Sequence, residues 1–190
     1  MNWLHRRVCQ SNHWRRRLSA NLLPWALQGV ELGADVLEIG PGPGVTTELL
    51  RKRTCRLTTL ELEEATVEAL QRRFRNVGVR VVLGDGAAMP FADGSFSSVV
   101  AFTMLHHLPT AELQDRLFSE AWCVLCPSGV FAGFDGVGSL LFQVVHLGDT
   151  YTPIDPDALG RRLCAVGFAE VAVERSHGRF RFRAKRAFPA

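Results

Sequence analysis

Val36-Leu37-Glu38-Ile39-Gly40-Pro41-Gly42-Pro43-Gly44-Val45-Thr46-Thr47-Glu48-Leu49-Leu50 is the stretch that decides how this chain folds. A short apolar run enters a turn whose alternate residues are glycine, and a helical pattern follows. Glycine reaches positive φ without strain and lets another molecule approach where a Cβ would collide. A helix that starts just past such a turn points its unpaired N–H groups at the same place. Strand, glycine turn and helix together are the signature of a cofactor cradle. Pro41 and Pro43 fix φ between the glycines and stiffen the bend. The spacing narrows the choice of cofactor. A dinucleotide fingerprint needs Gly-x-Gly-x-x-Gly, and its third glycine would fall where this chain has Val45. Glu38 would also sit badly beside a pyrophosphate.

Two more acids stand at strand ends. Arg56-Leu57-Thr58-Thr59-Leu60 reads as a second strand and ends in Glu61. That is about twenty residues past the turn, where an α/β nucleotide fold places the carboxylate that accepts from ribose hydroxyls. Glu63 and Glu64 open the next helix and complement its positive end, while Glu68 is spaced to pair with Arg72. Val79-Arg80-Val81-Val82-Leu83 reads as a third strand and runs into Gly84-Asp85-Gly86-Ala87. A plain turn aspartate is the alternative for Asp85. Three acids or glycine turns at three successive strand ends favour the cofactor.

Glu38-x-Gly40-x-Gly42-x-Gly44 resembles motif I of the class I S-adenosylmethionine-dependent methyltransferases. The resemblance implies that the turn of Gly40, Pro41, Gly42 and Gly44 passes under the amino-acid end of the cofactor. Glu38 would help to hold its ammonium, and Glu61 with Leu62 would serve the ribose. Gly84, Asp85, Gly86 and Ala87 would meet the adenine, and S-adenosylhomocysteine would be the product. The stretch from Met89 to Leu108 is similar to the small-molecule subgroup that includes the ubiquinone and menaquinone biosynthesis methyltransferases. It shares Pro90-Phe91, the Asp93-Gly94 turn, a strand, and Leu105-His106-His107. One departure is Ser97, where that subgroup has an acid straight after the phenylalanine. The fold implied is α/β: a Rossmann-like seven-stranded sheet in the order 3-2-1-4-5-7-6, its last strand antiparallel, with helices on both faces.

The remaining elements follow from local chemistry. Thr110 can cap a helix with Leu113, Leu117, Ala121 and Val124 on one apolar face. After Pro127-Ser128-Gly129 a fifth strand covers Val130 to Phe134 and ends at Asp135. Asp155-Pro156 is a cap followed by proline at the first helical position; Leu159, Leu163 and Val166 face inward and Gly167 stops the helix. Phe168 to Val173 and Gly178 to Arg186 read as closing strands around a hairpin at Arg175-Ser176-His177-Gly178. The chain of 190 residues suits a single domain, with 1–30 as an N-terminal helical lid and 31–190 as the Rossmann-like core.

The methyl acceptor is less legible. In-line displacement needs two reactants held at short distance and correct angle, and a base only if the acceptor must lose a proton early. His106 and His107 follow strand four beside the expected donor pocket and are the candidate catalytic residues, since histidine takes protons near neutral pH. Capping and packing are the alternative. Phe102 and Thr103 would line the cofactor pocket. Trp14, His146 and Tyr151 are candidate substrate residues, with Asp149 nearby, and the tryptophans of the lid could sandwich a flat or apolar acceptor.

Two other classes remain open. Arginines interleaved with aromatics near the start, and Arg179-Phe180-Arg181-Phe182-Arg183, raise RNA methylation through phosphate contacts. Leu37-Glu38-Ile39-Gly40-Pro41-Gly42 also resembles the ribosomal-RNA adenine dimethyltransferases, but the Asn/Asp-Pro-Pro/Leu-Tyr/Phe motif of that family is missing after strand four, the formal net charge is only +3, and alternating Arg/Phe also suits a strand with one wet face. A non-catalytic S-adenosylmethionine-binding protein is the third reading. No metal is expected, because Cys123 and Cys126 lack a second pair; buried reduced thiols in a cytoplasmic protein are the expectation. No apolar run approaches the ~20 residues of a membrane span, and the start lacks the core of a secretory signal. A small-molecule partner is expected; oligomeric state is not legible.

Overall fold

The computed structural model describes residues 11–138 and 150–187. Its strands are β1 (Asp35–Ile39), β2 (Arg56–Glu61), β3 (Val79–Leu83), β4 (Phe96–Phe102), β5 (Leu125–Gly136), β6 (Phe168–Ser176) and β7 (Arg179–Arg186). They form one sheet in the order β3-β2-β1-β4-β5-β7-β6. β1 to β5 pair in parallel, and β7 runs antiparallel to both β5 and β6. The arrangement implied by the resemblance is the one observed.

Period-2 alternation sorts the side chains onto two faces. Leu37, Ile39, Val99, Ala101 and Phe131 pack under α5 (Ala111–Val124) and α6 (Pro156–Val166), through Leu117, Phe118, Ala121, Leu159 and Leu163. Val36, Leu57, Val100, Phe102 and Phe134 face the other way, against α3 (Val45–Leu50) and the N-terminal helical stretch. That stretch consists of α1 (Asn12–Arg17), a π-helical turn Leu18–Leu22, and α2 (Leu23–Ala26). Its Leu18, Leu22, Leu23 and Ala26 are buried in the second core. The helix α4 (Glu64–Arg73) completes the βα units; its Glu68 and Arg72 pair at 3.5 Å, as their spacing predicts.

Arginines of β7 hold the N-terminal stretch in place. The Arg181 guanidinium lies 5.6 Å from the Trp25 ring centroid, donates to the Trp25 carbonyl, and meets Glu174 at 2.7 Å. Phe180, Phe182 and Ala184 alternate with these arginines and are buried, so β7 has the one wet face that its Arg/Phe pattern predicts.

Three details differ from the sequence reading. β5 starts at Leu125, opposite Phe96, and bulges before Val130 pairs with Ser98; Ser128 takes a left-handed φ of 64° in the bulge. Turn-forming Pro127-Ser128-Gly129 therefore interrupts the ladder without ending it. β6 runs on to Ser176, which tightens the hairpin to His177-Gly178. The four cysteines among the described residues are free but not buried: Cys55 and Cys164 are exposed, and Cys123 and Cys126 are half-buried.

Ser97 has a clear task. Its hydroxyl lies 2.7 Å from the Leu32 carbonyl and 2.8 Å from that of Asp35, and accepts from the Asp35 amide at 3.0 Å. Asp35 itself pairs with Arg56. The amino-terminal ends of β1, β2 and β4 are thus closed without a carboxylate at position 97. No helix among the described residues is long and apolar enough to cross a membrane.

Phe131 sits at the centre of the larger core, fully buried, with ring centroids 4.9 Å from Phe182, 5.7 Å from Phe168 and 6.0 Å from Phe118. Truncation leaves a cavity that three rings cannot close. Phe131→Ala is expected to destabilise the domain by about 3–5 kcal/mol, read as a lower urea midpoint at unchanged slope.

Candidate active site

The carboxyl ends of β1, β2 and β4, with the turn after β3, border a cleft of about 590 Å³. Gly40, Pro41 and Gly42 form its floor, Glu61 and Leu62 one side, and Gly84 to Ala87 the far end. Phe102, Thr103 and His107 line it from β4 and the turn beyond, and Trp14 from α1. Residues from five separate parts of the chain therefore meet where the sequence reading placed a cofactor.

The geometry suits a nucleoside. Gly42 has a φ of 51°, and a Cβ built there would meet no protein atom within 4 Å. Its bareness therefore keeps space open for something other than this chain. The Glu61 carboxylate is held by three backbone amides, of Leu62 at 2.9 Å, Glu63 at 3.1 Å and Gly42 at 3.2 Å. A carboxylate so oriented can still accept from hydroxyls, because each oxygen carries two lone pairs. Asp85 accepts from the Ala87 amide at 2.8 Å through Oδ1, an Asx turn that aims the carboxylate. Leu62 is 68% exposed, an apolar wall that water covers poorly. Acceptors for hydroxyl and amino groups beside an apolar wall and a bare turn fit S-adenosylmethionine.

Glu38 and Gly44 lie beneath this surface and do not line the cleft. Glu38 is 1% exposed. It accepts from the Thr46 hydroxyl, and from that of Thr47 at 2.6 Å. Its role in the structure is to tie β1 to the first turn of α3. Gly44 is the N-cap of that helix, with a left-handed φ of 76°.

The two histidines separate. His106 is 2% exposed; its Nδ1 lies 2.6 Å from Asp135 Oδ1, and its amide donates to Oδ2 at 3.2 Å. Burial pushes the Asp135 carboxyl upward, but His106 and the amides of Gly136 and His106 outweigh it and hold it below the usual range. His107 is the one that reaches the cleft, its ring 4.2 Å from that of His106. Tyr151 stacks edge-on to His106 at 5.6 Å and does not line the cleft. His146 and Asp149 lie outside the described residues.

Several lining residues escaped the sequence reading. Met104 packs against the bare face of Gly40, where an added Cβ would approach it to 2.9 Å. Thr103, already expected to line the pocket, carries a φ of 52°, costly for a β-branched residue, and donates its amide to the Phe134 carbonyl at 2.9 Å. Leu18, Leu113 and Thr150 also line the cleft. Only adjacency to Thr103 could have exposed Met104; the others come from distant elements. Asp135 was visible as a strand-end acid, and its neighbour in the sheet order is β4, which ends just before His106.

A second depression, about 690 Å³, opens at the amino-terminal ends of the strands. It is larger, yet its Asp35 and Arg56 are paired with each other, and it shows no set of converging acceptors like that around Gly42. The chemistry belongs to the carboxyl end. Among the described residues no cluster of three or more His, Cys, Asp or Glu side chains could hold a metal.

Glu38 generates a pH prediction. Burial, opposed by the two threonine hydroxyls and reinforced by Glu61, raises its carboxyl from 4.5 to about 7. A raised acid binds its proton more tightly when folded. Its contribution is therefore complete below pH 4.5 and is lost as pH rises through about 7. Urea unfolding at pH 4 and pH 8 is expected to show the wild type losing on the order of 3 kcal/mol more than Glu38→Gln.

Comparison with known proteins agrees with this geometry. Residues 37–133, just over half of the chain, match the family described as "Methyltransferase domain". A Mycolicibacterium smegmatis protein named as an S-adenosylmethionine-dependent methyltransferase is 34% identical over 124 residues, 65% of this chain and 46% of that protein. A demethylmenaquinone methyltransferase of Tropheryma whipplei is 28% identical over 123 residues, 63% of this chain and 46% of its own. The chain thus spans about half the length of the curated relatives it matches. A crystal structure from Pyrococcus horikoshii superposes with a TM-score of 0.79 at 16% identity, over 94% of this chain and 93% of that one, and shows a shared fold. With its glycine turn and strand-end acids in one cleft, the chain belongs to the S-adenosylmethionine-dependent methyltransferase domain family.

Proposed function

We propose that this domain moves a methyl group from S-adenosylmethionine to an O, N or C atom of a small organic acceptor by in-line displacement. The observation that carries the reading is the juxtaposition of bare Gly42 with the oriented carboxylates of Glu61 and Asp85 around one cleft. When bound, the cofactor supplies a methyl carbon made electrophilic by its sulfonium. The chain's own part is to hold and orient. Glu61 takes the ribose hydroxyls, Asp85 the adenine amino group, and the Gly40–Gly44 turn the amino-acid end.

The strained Thr103 and the adjacent Met104 wall the cleft beyond that turn. Trp14 and Leu18 close it from the N-terminal stretch, which supports reading residues 1–30 as a lid on a single-domain core, 31–190. Water excluded by these side chains strengthens the remaining polar contacts. His107 lines the same cleft as Thr103 and in this reading takes a proton from the acceptor, while His106, held by Asp135, supports the turn that carries it. Free cysteines suit a reducing, cytoplasmic setting.

Asp85→Ala removes an acceptor without touching the core and is expected to weaken S-adenosylmethionine binding about ten- to hundredfold. Gly42→Ala is expected to abolish binding by filling the cradle. Calorimetry showing wild-type affinity in both variants refutes the assignment. Labelled methyl incorporation into a fractionated metabolite pool supports a small acceptor. Incorporation into RNA, or tight binding with no transfer, points instead to an RNA enzyme or to a non-catalytic binder.

A further inference from the structure

We infer that the acceptor carries an anionic group, a carboxylate in the simplest case, which Arg179 and Arg17 bind at the rim of the cleft beside Trp14. The inference rests on the methyltransferase reading of the cleft and names the chemistry of its second substrate. Trp14 lines the cleft, and the Arg179 guanidinium lies 5.9 Å from its ring centroid. Arg179 opens β7 and pairs with Gly136 at the carboxyl end of β5, so it stands at the same edge of the sheet as the cleft.

Its hydrogen-bonding capacity is not filled there. The Nε of Arg179 is buried and meets no hydrogen-bond acceptor among the described residues. Burial lowers its pKa, nearby Arg17 lowers it further, and Asp135 works the other way. Asp135 is already occupied: His106 Nδ1 lies at 2.6 Å from Oδ1, the Gly136 amide donates to Oδ1 at 2.7 Å, and the His106 amide donates to Oδ2 at 3.2 Å. Among the described residues, neither Arg17 nor Arg179 forms an ion pair with a carboxylate. The other β7 arginines behave differently. Arg181 pairs with Glu174 at 2.7 Å, and Arg186 donates to the Cys123 carbonyl at 2.8 Å and stacks on Trp122 at 4.2 Å.

A guanidinium taken partly out of water without an acceptor is costly. A planar carboxylate answers it, because the guanidinium fork matches two oxygens at once. Trp14 at the same spot offers a flat apolar face to the ring or chain that bears the carboxylate. A neutral acceptor would leave both guanidinium groups without an ion-pair partner at closure. Arg17 lies on the exposed side of α1 and would join the anion once it is seated.

The test separates this inference from the cofactor assignment. The full chain is titrated calorimetrically with S-adenosylhomocysteine, and then with 2-naphthoate and with the neutral 2-naphthamide, each with and without saturating S-adenosylhomocysteine. The naphthoate is expected to bind about tenfold or more tightly than the amide. In Arg179→Gln that preference is expected to fall to near unity while S-adenosylhomocysteine affinity stays at the wild-type value. Arg17→Gln, on an exposed helix face, is expected to lose about threefold of the preference and to fold normally. Equal affinities, no naphthoate binding, or an undiminished preference in both variants overturns the inference. Failure of S-adenosylhomocysteine to bind overturns the cofactor reading instead, whichever naphthalene binds.

Discussion

A carboxylate sealed under the glycine turn holds the cofactor cradle together. Glu38 has left water almost completely, and the hydroxyls of Thr46 and Thr47 are the groups that replace it. Because those threonines open α3, the bond fixes the entry angle of that helix relative to β1. The turn between them then has no freedom to sag, and Gly42 stays exposed to the cleft. Burial of an acid is unfavourable unless it is hydrogen-bonded, and the raised pKa of Glu38, about 7, shows how far burial outweighs the threonines. The stability of the core and the shape of the cradle thus meet in one side chain.

The turn after β4 repeats the device with different chemistry. Asp135 at the end of β5 grips both the ring and the backbone of His106, and the Thr152 amide donates to the His106 carbonyl at 2.8 Å. Gln114 from α5 donates to the carbonyls of Leu105 and Thr152 at 3.3 and 2.9 Å. The short turn after β4 is therefore pinned from three directions, and His107 is presented from a rigid base. A buried pair of this kind adds little net stability, since desolvation offsets attraction. Its value here is orientation.

The two ends of the cleft have different owners. The cofactor end is built from the first four strands, within residues 37–133 that define the family. The lining residues outside that match are Trp14, Leu18 and Thr150, and Arg179 of β7 lies 5.9 Å from the Trp14 ring centroid. This division has a physical basis: one cofactor imposes one set of contacts, whereas each acceptor needs its own. It also explains how arginines of β7 serve two purposes, with Arg181 anchoring α2 and Arg179 standing beside the cleft.

Much of this was legible in the residues alone. β-Branched and apolar runs placed β2 and β3 at their observed bounds, Gly-Pro alternation marked the turn, and Thr110, Asp155 and Gly167 marked helix ends by local hydrogen bonding, which depends only on neighbours in the chain. Glu61 and Asp85 stood out because one ends a strand and the other lies just past one, and a strand end is a local property. The continuation of β5 through Pro127-Ser128-Gly129 was not legible, because a bulge depends on the partner strand. Nor was the division between His106 and His107: adjacent, identical residues are distinguished only by Asp135, twenty-nine positions away. The same holds for Glu38, whose hydroxyl partners follow it closely but whose burial is imposed by helices from elsewhere. Sequence by itself determined the order of elements and the positions of the glycine turn and the strand-end acids, since both are written in short-range patterns. Only the tertiary structure decided which polar groups are buried, which are paired, and which face the cleft, since those depend on what the folded chain brings into contact.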